Sequence, residues 1–121
     1  MIYNKFDVVK VIFPFTDKVA SKKRPALVVS SSNYQINYNH CILAMITSAK
    51  HTSWQDDVII TNLESAGLTS PSKIRLKIFS LDCSLIAGKL GHLVDKDNEL
   101  IFKKLKKVND LFYLFYIFLH K

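Results

Sequence analysis

An arginine and a threonine stand at the ends of two apolar segments of this 121-residue chain. Arg24 directly precedes a proline and the run 26–29, whose β-branched residues predict a strand. Thr47 lies at the end of a second predicted strand, 41–47, and Ser48 follows it. A guanidinium can hold a phosphate through two parallel hydrogen bonds, and a nearby hydroxyl can add another. This combination of residue types points to phosphate chemistry.

Further candidates surround this pair along the sequence. Lys22 and Lys23 extend the cationic turn before Arg24. Between residues 73 and 79, cations alternate with apolar residues, which predicts a strand with Arg75 and Lys77 on its polar face. The plainer reading of these cations is a solvated basic face with no chemistry.

Two polar loops, 15–23 and 48–56, hold side chains that could contact a nucleic acid. Trp54, the only tryptophan of the chain, offers a ring on which a base could stack, and Phe15 offers another. His51 follows Thr47 by four residues and could act as an acid or a base at neutral pH. An ordinary surface histidine is the alternative.

Composition limits the class of protein and of partner. With 49% apolar residues and 22% charged residues, the chain is expected to form one globular domain, 1–121. Its formal net charge of +7 and its pI near 9.5 favour an anionic partner. Nucleic acid, an acidic protein and a membrane surface all fit this requirement, and charge alone does not separate them.

Several other chemistries find no support. The chain has only three glycines and no glycine-rich phosphate loop, and its two cysteines and four histidines lack metal-ligand spacing. We therefore expect reduced, structural thiols, no metal and no cofactor. The first residues do not resemble a secretion signal, so we expect a cytoplasmic protein.

The pattern of elements indicates a mainly β fold of five to seven antiparallel strands, small and strongly curved. A long C-terminal helix is predicted over about 96–119. Its last part, 111–119, is entirely apolar or aromatic, and it is too short to span a bilayer, which takes roughly 20 residues. We expect it to be buried or covered by a partner, with a peripheral membrane contact as the alternative. Strands are predicted at 6–13, 25–30, 41–47, 58–61, 73–79 and 85–93, and helical turns at 34–38 and 62–67.

Five short motifs, in order, resemble the MazF/PemK family of toxins from bacterial toxin–antitoxin systems. The resemblance runs from about residue 6 to about residue 108, and Phe6 stands where the family usually has glycine. The motifs are Phe6-Asp7-Val8-Val9-Lys10-Val11, Arg24-Pro25-Ala26-Leu27-Val28-Val29, Ile46-Thr47-Ser48, Ala66-Gly67-Leu68 with Pro71-Ser72 and Arg75, and Ile86-Ala87-Gly88-Lys89-Leu90-Gly91.

The resemblance implies an SH3-like barrel that forms a homodimer and cleaves single-stranded RNA at short specific sequences without a metal. It implies attack by the ribose 2′-OH, which gives a 2′,3′-cyclic phosphate and a 5′-OH, and inhibition by a cognate antitoxin similar to MazE or PemI. Arg24 and Thr47 would be the catalytic residues of this endoribonuclease, or mRNA interferase. The substrate-binding residues would be Ser48, Arg75, Lys77, Lys23, Asp17, His51 and Trp54.

One departure concerns the general base. Some relatives have a carboxylate two residues after the second arginine, where this chain has Lys77. The base therefore stays open among His51, Asp17 and a bound water. Two other functions stay open as well: a non-enzymatic toxin of the CcdB type that targets gyrase, and a non-catalytic RNA-binding module of the same fold.

Overall fold

The structure is a computed structural model that describes residues 1–12 and 22–119, with side chains to residue 108. In these ranges the chain forms six strands and three α-helices in one sheet-based unit. The strands are β1 (Asp7–Ile12), β2 (Lys23–Val28), β3 (His40–Ser48), β4 (Val58–Ile59), β5 (Ser72–Asp82) and β6 (Ile86–His92). The helices are α1 (Ser32–Tyr38), α2 (Leu63–Ala66) and α3 (Asp95–Leu119).

The described strands form a single antiparallel sheet in the order β4-β5-β3-β2-β1-β6. The register of β5 against β3 shifts after Arg75: Met45 pairs with Arg75, whereas its neighbour Ala44 pairs with Ile78. Leu76 and Lys77 are therefore extra residues in β5, and such bulges increase strand twist. The register of β6 against β1 is also irregular at two places.

Both faces of the sheet carry apolar residues, because successive side chains of a strand point to opposite sides. One apolar cluster includes Val8, Leu27 and Ile74 and packs against α3 through the fully buried Ile101. The other cluster includes Val9 and Val28 and covers the opposite face. Burial on both faces explains why β1 and β3 read as nearly continuous apolar runs rather than as alternating ones.

Two glycines allow α2 to lie directly on β6. Gly67 ends α2 with a left-handed backbone (φ 72°), and a Cβ there would stand 2.0 Å from the carbonyl oxygen of Leu90. A Cβ on Gly91 would stand 2.3 Å from the carbonyl oxygen of Ser65. The glycines of two sequence motifs are thus explained by close backbone approach.

Helix α3 is tied to the rest of the fold by its first turn. The carboxylate of Asp97, which is 2% exposed, accepts hydrogen bonds from the backbone N–H (2.9 Å) and hydroxyl (3.0 Å) of Thr61. Farther along, Lys104 reaches the Asp56 carboxylate at 3.0 Å and Lys107 reaches it at 3.5 Å. The helix is therefore linked to the segment that follows β3.

The predicted mainly β fold, with five to seven strands and a C-terminal helix, is confirmed. One prediction was wrong in its burial. The cations of β5 were expected on a solvated face, but Lys73 is fully buried and Arg75 is 8% exposed. Residues 48–57 cover this end of β5 and pair with its cations, so solvent does not reach them. Lys77, in the bulge, is exposed as expected.

The predicted 15–23 loop lies almost wholly outside the described residues, and so do Asp17 and the side chains of 111–119. Within the described ranges, no helix combines the length and the apolar character needed to cross a bilayer. Both cysteines, Cys41 and Cys83, are free thiols, and burial raises the pKa of Cys41 to about 12.

Candidate active site

The pairing of β2 with β3 brings the segments of Arg24 and Thr47 together. The paired residues end with Ala26 opposite Met45; Arg24 lies two residues before Ala26, and Thr47 lies two residues after Met45. Residues directly opposite in an antiparallel pair project from the same face of the sheet. Arg24 is exposed, whereas Thr47 is 8% exposed. The two residues that the sequence selected from separate segments therefore project from the same face, just beyond the same end of the β2–β3 pairing.

Local sequence accounts for the position of Arg24. It is the second residue of β2 and pairs with Val11 of β1, so its backbone is held by a neighbouring strand. Pro25 follows and fixes its own φ, which restricts Arg24 to extended conformations. The strand behind it becomes fully buried from Ala26 to Val28. The guanidinium is thus carried by a rigid backbone at the entrance to the sheet.

Thr47 is in contact with His51. The Oγ1 of Thr47 and the Nδ1 of His51 are 2.6 Å apart, which is a short hydrogen bond. The backbone N–H of His51 donates to the Ser48 carbonyl at 3.1 Å, so a tight turn brings the ring back over the strand end. Ser48 itself accepts a hydrogen bond at its Oγ from the backbone N–H of Lys50 (3.2 Å). The hydroxyl of Ser48 therefore supports the turn.

Two buried cations of β5 hold the segment 48–57, which we call the site loop. Lys73, which pairs with Thr47 across β3 and β5, donates from Nζ to the His51 carbonyl and to Ser53 Oγ, the latter at 3.2 Å. Arg75 donates from Nη2 to the Thr52 carbonyl at 2.6 Å. Buried charges of this kind require partners, and here the partners are backbone carbonyls of the loop. The loop is consequently fastened at successive residues.

Asp57 neutralises part of this buried charge. Its carboxylate accepts from Arg75 Nε (3.2 Å) and Nη2 (3.0 Å) and lies 3.6 Å from Lys73 Nζ. It also accepts from the backbone N–H of Trp54 at 2.8 Å. Burial alone would raise the pKa of Asp57, but the hydrogen bonds from Arg75 and Trp54 outweigh it, and the pKa is lowered. One carboxylate thus serves two cations, and a positive charge is left over.

Trp54 lies against Arg75. The guanidinium carbon of Arg75 is 4.6 Å from the centroid of the Trp54 ring, a distance at which a cation and an aromatic face attract each other. Trp54 is nevertheless 50% exposed. The ring is held by its contact with a buried cation while much of its surface faces solvent.

The structure therefore brings together most of the residues selected from the sequence. Arg24, Thr47, Ser48, His51 and Arg75 lie on or beside adjacent strand ends, and Trp54 is fixed through Arg75. Lys23 is exposed at the start of β2, next to Arg24, and Lys77 is exposed farther along β5. Asp17 lies outside the described residues.

Lys73 and Asp57 are the residues of this site that the sequence did not select. Lys73 looked like any other cation of an alternating strand. Asp57 stands just before β4, which pairs with the strand that carries Lys73 and Arg75. An acidic residue at this position could have indicated an ion pair with these cations. That prediction would have required knowing that β4 and β5 are neighbours.

Solved structures with a similar fold are toxins and toxin–antitoxin complexes. MazF (Form-I) from Deinococcus radiodurans is 19% identical, with a TM-score of 0.71 over 91% of this chain and 98% of that one. MazE-MazF (Form-III) from the same organism is 18% identical, with a TM-score of 0.73 over 91% and 98%. An endoribonuclease in complex with its cognate antitoxin from a mycobacterial species is 15% identical, with a TM-score of 0.67 over 88% and 91%. At these identities the likeness shows the fold.

Sequence comparison gives the family. No curated protein matches the chain significantly. A family model does match it over residues 4–109, and it describes a PemK-like, MazF-like toxin of type II toxin-antitoxin systems. This match covers most of the chain and the five motifs that carried the resemblance. The chain therefore belongs to the PemK-like, MazF-like toxin family of type II toxin–antitoxin systems.

Proposed function

We propose that this chain is a metal-independent endoribonuclease toxin that cleaves single-stranded RNA at short sequences. The observation that carries the proposal is the pairing of β2 with β3, which brings the exposed Arg24 and the Thr47 hydroxyl to the same end of one face of the sheet. Membership of the toxin family supports it, and so does the net charge of +7, which favours association with a polyanion.

The reaction is a transesterification at one phosphate. The ribose 2′-oxygen attacks phosphorus, the P–O5′ bond breaks, and the products are a 2′,3′-cyclic phosphate and a 5′-OH. Water accepts the 2′-OH proton during attack, and water gives a proton to the departing 5′-oxygen. Negative charge grows on the phosphate oxygens in the transition state, and Arg24 stabilises it there while Thr47 donates a hydrogen bond to one of these oxygens. Arg24 acts by charge rather than as an acid, because an arginine side chain stays protonated.

The flanking nucleotides contact the site loop and the neighbouring cations. A base stacks on the exposed part of Trp54, whose orientation Arg75 maintains. Lys23 and Lys77 attract the RNA backbone, and Arg75 contributes the charge that Asp57 does not neutralise. One site thus combines a catalytic pair with a surrounding surface that binds the flanking nucleotides.

The same basic surface suits a second partner. An antitoxin with an acidic and apolar segment competes with RNA for it, and complexes of MazE with MazF are among the structures with a similar fold. We further propose that the toxin acts as a homodimer in the cytoplasm, where its RNA substrate and its antitoxin are both present.

The test is an RNA cleavage assay in EDTA with mapping of both new ends. We expect wild-type protein to leave cyclic phosphate and 5′-OH termini, and Arg24→Ala and Thr47→Ala to lower kcat by about 100-fold or more. Lys96→Ala and Thr69→Ala are the matched controls, because both residues are exposed and lie outside the site. RNA that stays intact with wild-type protein would refute the proposal, and inhibition of DNA supercoiling would favour a gyrase-directed toxin.

A further inference from the structure

We infer that His51 is a positioning residue for Thr47: its Nδ1–H donates to Thr47 Oγ1 and leaves the threonine proton free for the scissile phosphate. The inference rests on the proposed function, because it assigns a role within the same site. It goes beyond that function by naming the group that controls the direction of the Thr47 hydroxyl.

The contact is short and its threonine side is enclosed. Thr47 Oγ1 and His51 Nδ1 are 2.6 Å apart, and Thr47 is 8% exposed, whereas His51 as a whole is exposed. The ring therefore reaches from solvent to a nearly buried hydroxyl. A substrate phosphate that contacts Thr47 must share that hydroxyl with the ring.

The backbone of His51 is held on both sides. Its N–H donates to the Ser48 carbonyl at 3.1 Å, and its own carbonyl accepts from the Lys73 ammonium. Lys73 is fully buried and pairs directly with Thr47 across β3 and β5. Lys73, the neighbour of Thr47 across the sheet, thus holds the backbone of His51, whose ring contacts Thr47. These backbone contacts hold the position of residue 51, and the contact of its ring with Thr47 is the one that depends on histidine.

The direction of the hydrogen bond decides what Thr47 offers to a phosphate. A threonine hydroxyl has one proton, whereas a neutral imidazole has one donor and one acceptor nitrogen. If Nδ1 accepts, the proton is used and only lone pairs face the phosphate oxygen. If Nδ1 carries the proton, it donates to Oγ1 and the hydroxyl can donate onward. An imidazolium always has the second arrangement.

Nearby charges couple this choice to RNA binding. The cations around the ring are Lys73 at its carbonyl, Arg75 at the next carbonyl, the exposed Lys50 in the same turn, and Arg24 across the strands. Asp57 is the carboxylate that faces Lys73 and Arg75, while Asp56 is paired with Lys104 and Lys107 of α3. These cations attract an RNA phosphate toward the Thr47 hydroxyl, where the direction of the His51 hydrogen bond decides whether a proton is available for it.

Three substitutions of His51 separate the possible roles. Asparagine places an amide donor near the Nδ1 position without a titrating group, glutamine places it near Nε2, and leucine removes both. We expect His51→Asn to keep kcat within about threefold, and His51→Gln and His51→Leu to lower kcat by about 10- to 100-fold with little change in KM.

The matched control is His40→Asn at the other end of the same strand, where the ring contacts the Tyr38 carbonyl. It should leave the rate unchanged. The inference is overturned if wild-type protein cleaves RNA and His51→Leu cleaves it equally fast, or if His51→Asn is as slow as His51→Leu. An inactive wild-type protein refutes the proposed function instead.

A second readout does not need cleavage. In nitrogen-15 NMR of labelled histidines, Thr47→Val should shift the Nδ1 signal of His51, while the signals of His40 stay in place. Identical Nδ1 signals of His51 in wild type and Thr47→Val would show that the hydrogen bond does not form, and that result also overturns the inference.

Discussion

Replacing Asp57 by asparagine should destabilise the protein, because it removes the carboxylate that two buried cations share. The side chains of Asp57, Arg75 and Lys73 are 6%, 10% and 1% exposed, so solvent cannot compensate the lost charge. Breaking a buried ion pair by removing one partner costs about 3–5 kcal/mol. Here Arg75 keeps the Thr52 carbonyl, and Lys73 keeps the His51 carbonyl and Ser53. We therefore expect the low end, a loss of about 3 kcal/mol.

Urea denaturation measures this loss. With an m-value of about 1.5 kcal/mol/M, typical of a small domain, the midpoint should fall by about 2 M. Asp56→Asn is the matched control: it is the same change one residue earlier, on a carboxylate paired with surface lysines of α3, and asparagine tolerates the positive φ of 74° there. Its midpoint should change much less. If Asp57→Asn lowers the free energy of unfolding by less than about 0.5 kcal/mol, or if both variants lower it equally, the reasoning is refuted.

The same variant has a pH signature. The pKa of Asp57 is lowered in the folded protein from its ordinary value of 3.8, so its charged form stabilises the fold. This contribution is fully present above the ordinary value and is lost as the pH falls through the lowered one. Wild type should therefore lose stability in strong acid more steeply than Asp57→Asn, and the two stability curves should converge there. Parallel curves would contradict the assignment.

Three further predictions test other parts of the molecule. Gly67→Ala should lower the urea midpoint by about 1 M or more, because its φ is 72° and its Cβ would meet the Leu90 carbonyl; an unchanged midpoint would contradict the close approach. Asp7→Asn should destabilise the fold near neutral pH, and the difference should vanish in acid. Burial of Asp7 raises its pKa, but the Asn4 N–H, His92 and Lys89 outweigh burial and lower it. If Asp7→Asn destabilises the fold equally at all pH values, this explanation is refuted. Binding of an RNA with a 2′-deoxy cleavage position should quench the fluorescence of Trp54, the only tryptophan of the chain. Unchanged emission would exclude stacking. Trp54→Ala should raise KM about tenfold.

Local sequence was sufficient for much of the fold. β-branched runs and terminal turns predicted the strands, and β6 was expected at 85–93 and observed at Ile86–His92. The long helix was expected over about 96–119 and begins at Asp95. These elements are determined by patterns a few residues apart, which short-range sterics and burial control. Burial of β5 was not predictable in this way, because alternation shows which residues share a face and not what covers that face.

The sequence by itself determined which groups are available for chemistry: a guanidinium before a strand, a hydroxyl at the end of another, and an excess of positive charge. It also determined the family, since the order and spacing of the motifs carry that information. Only the tertiary structure decided that Arg24 and Thr47 lie at the same end of one sheet face, that Lys73 and Arg75 are buried anchors of the site loop, and that His51 contacts Thr47. The physical reason is that strand register and the burial of charge depend on pairings between distant segments, and only the folded chain brings those segments together.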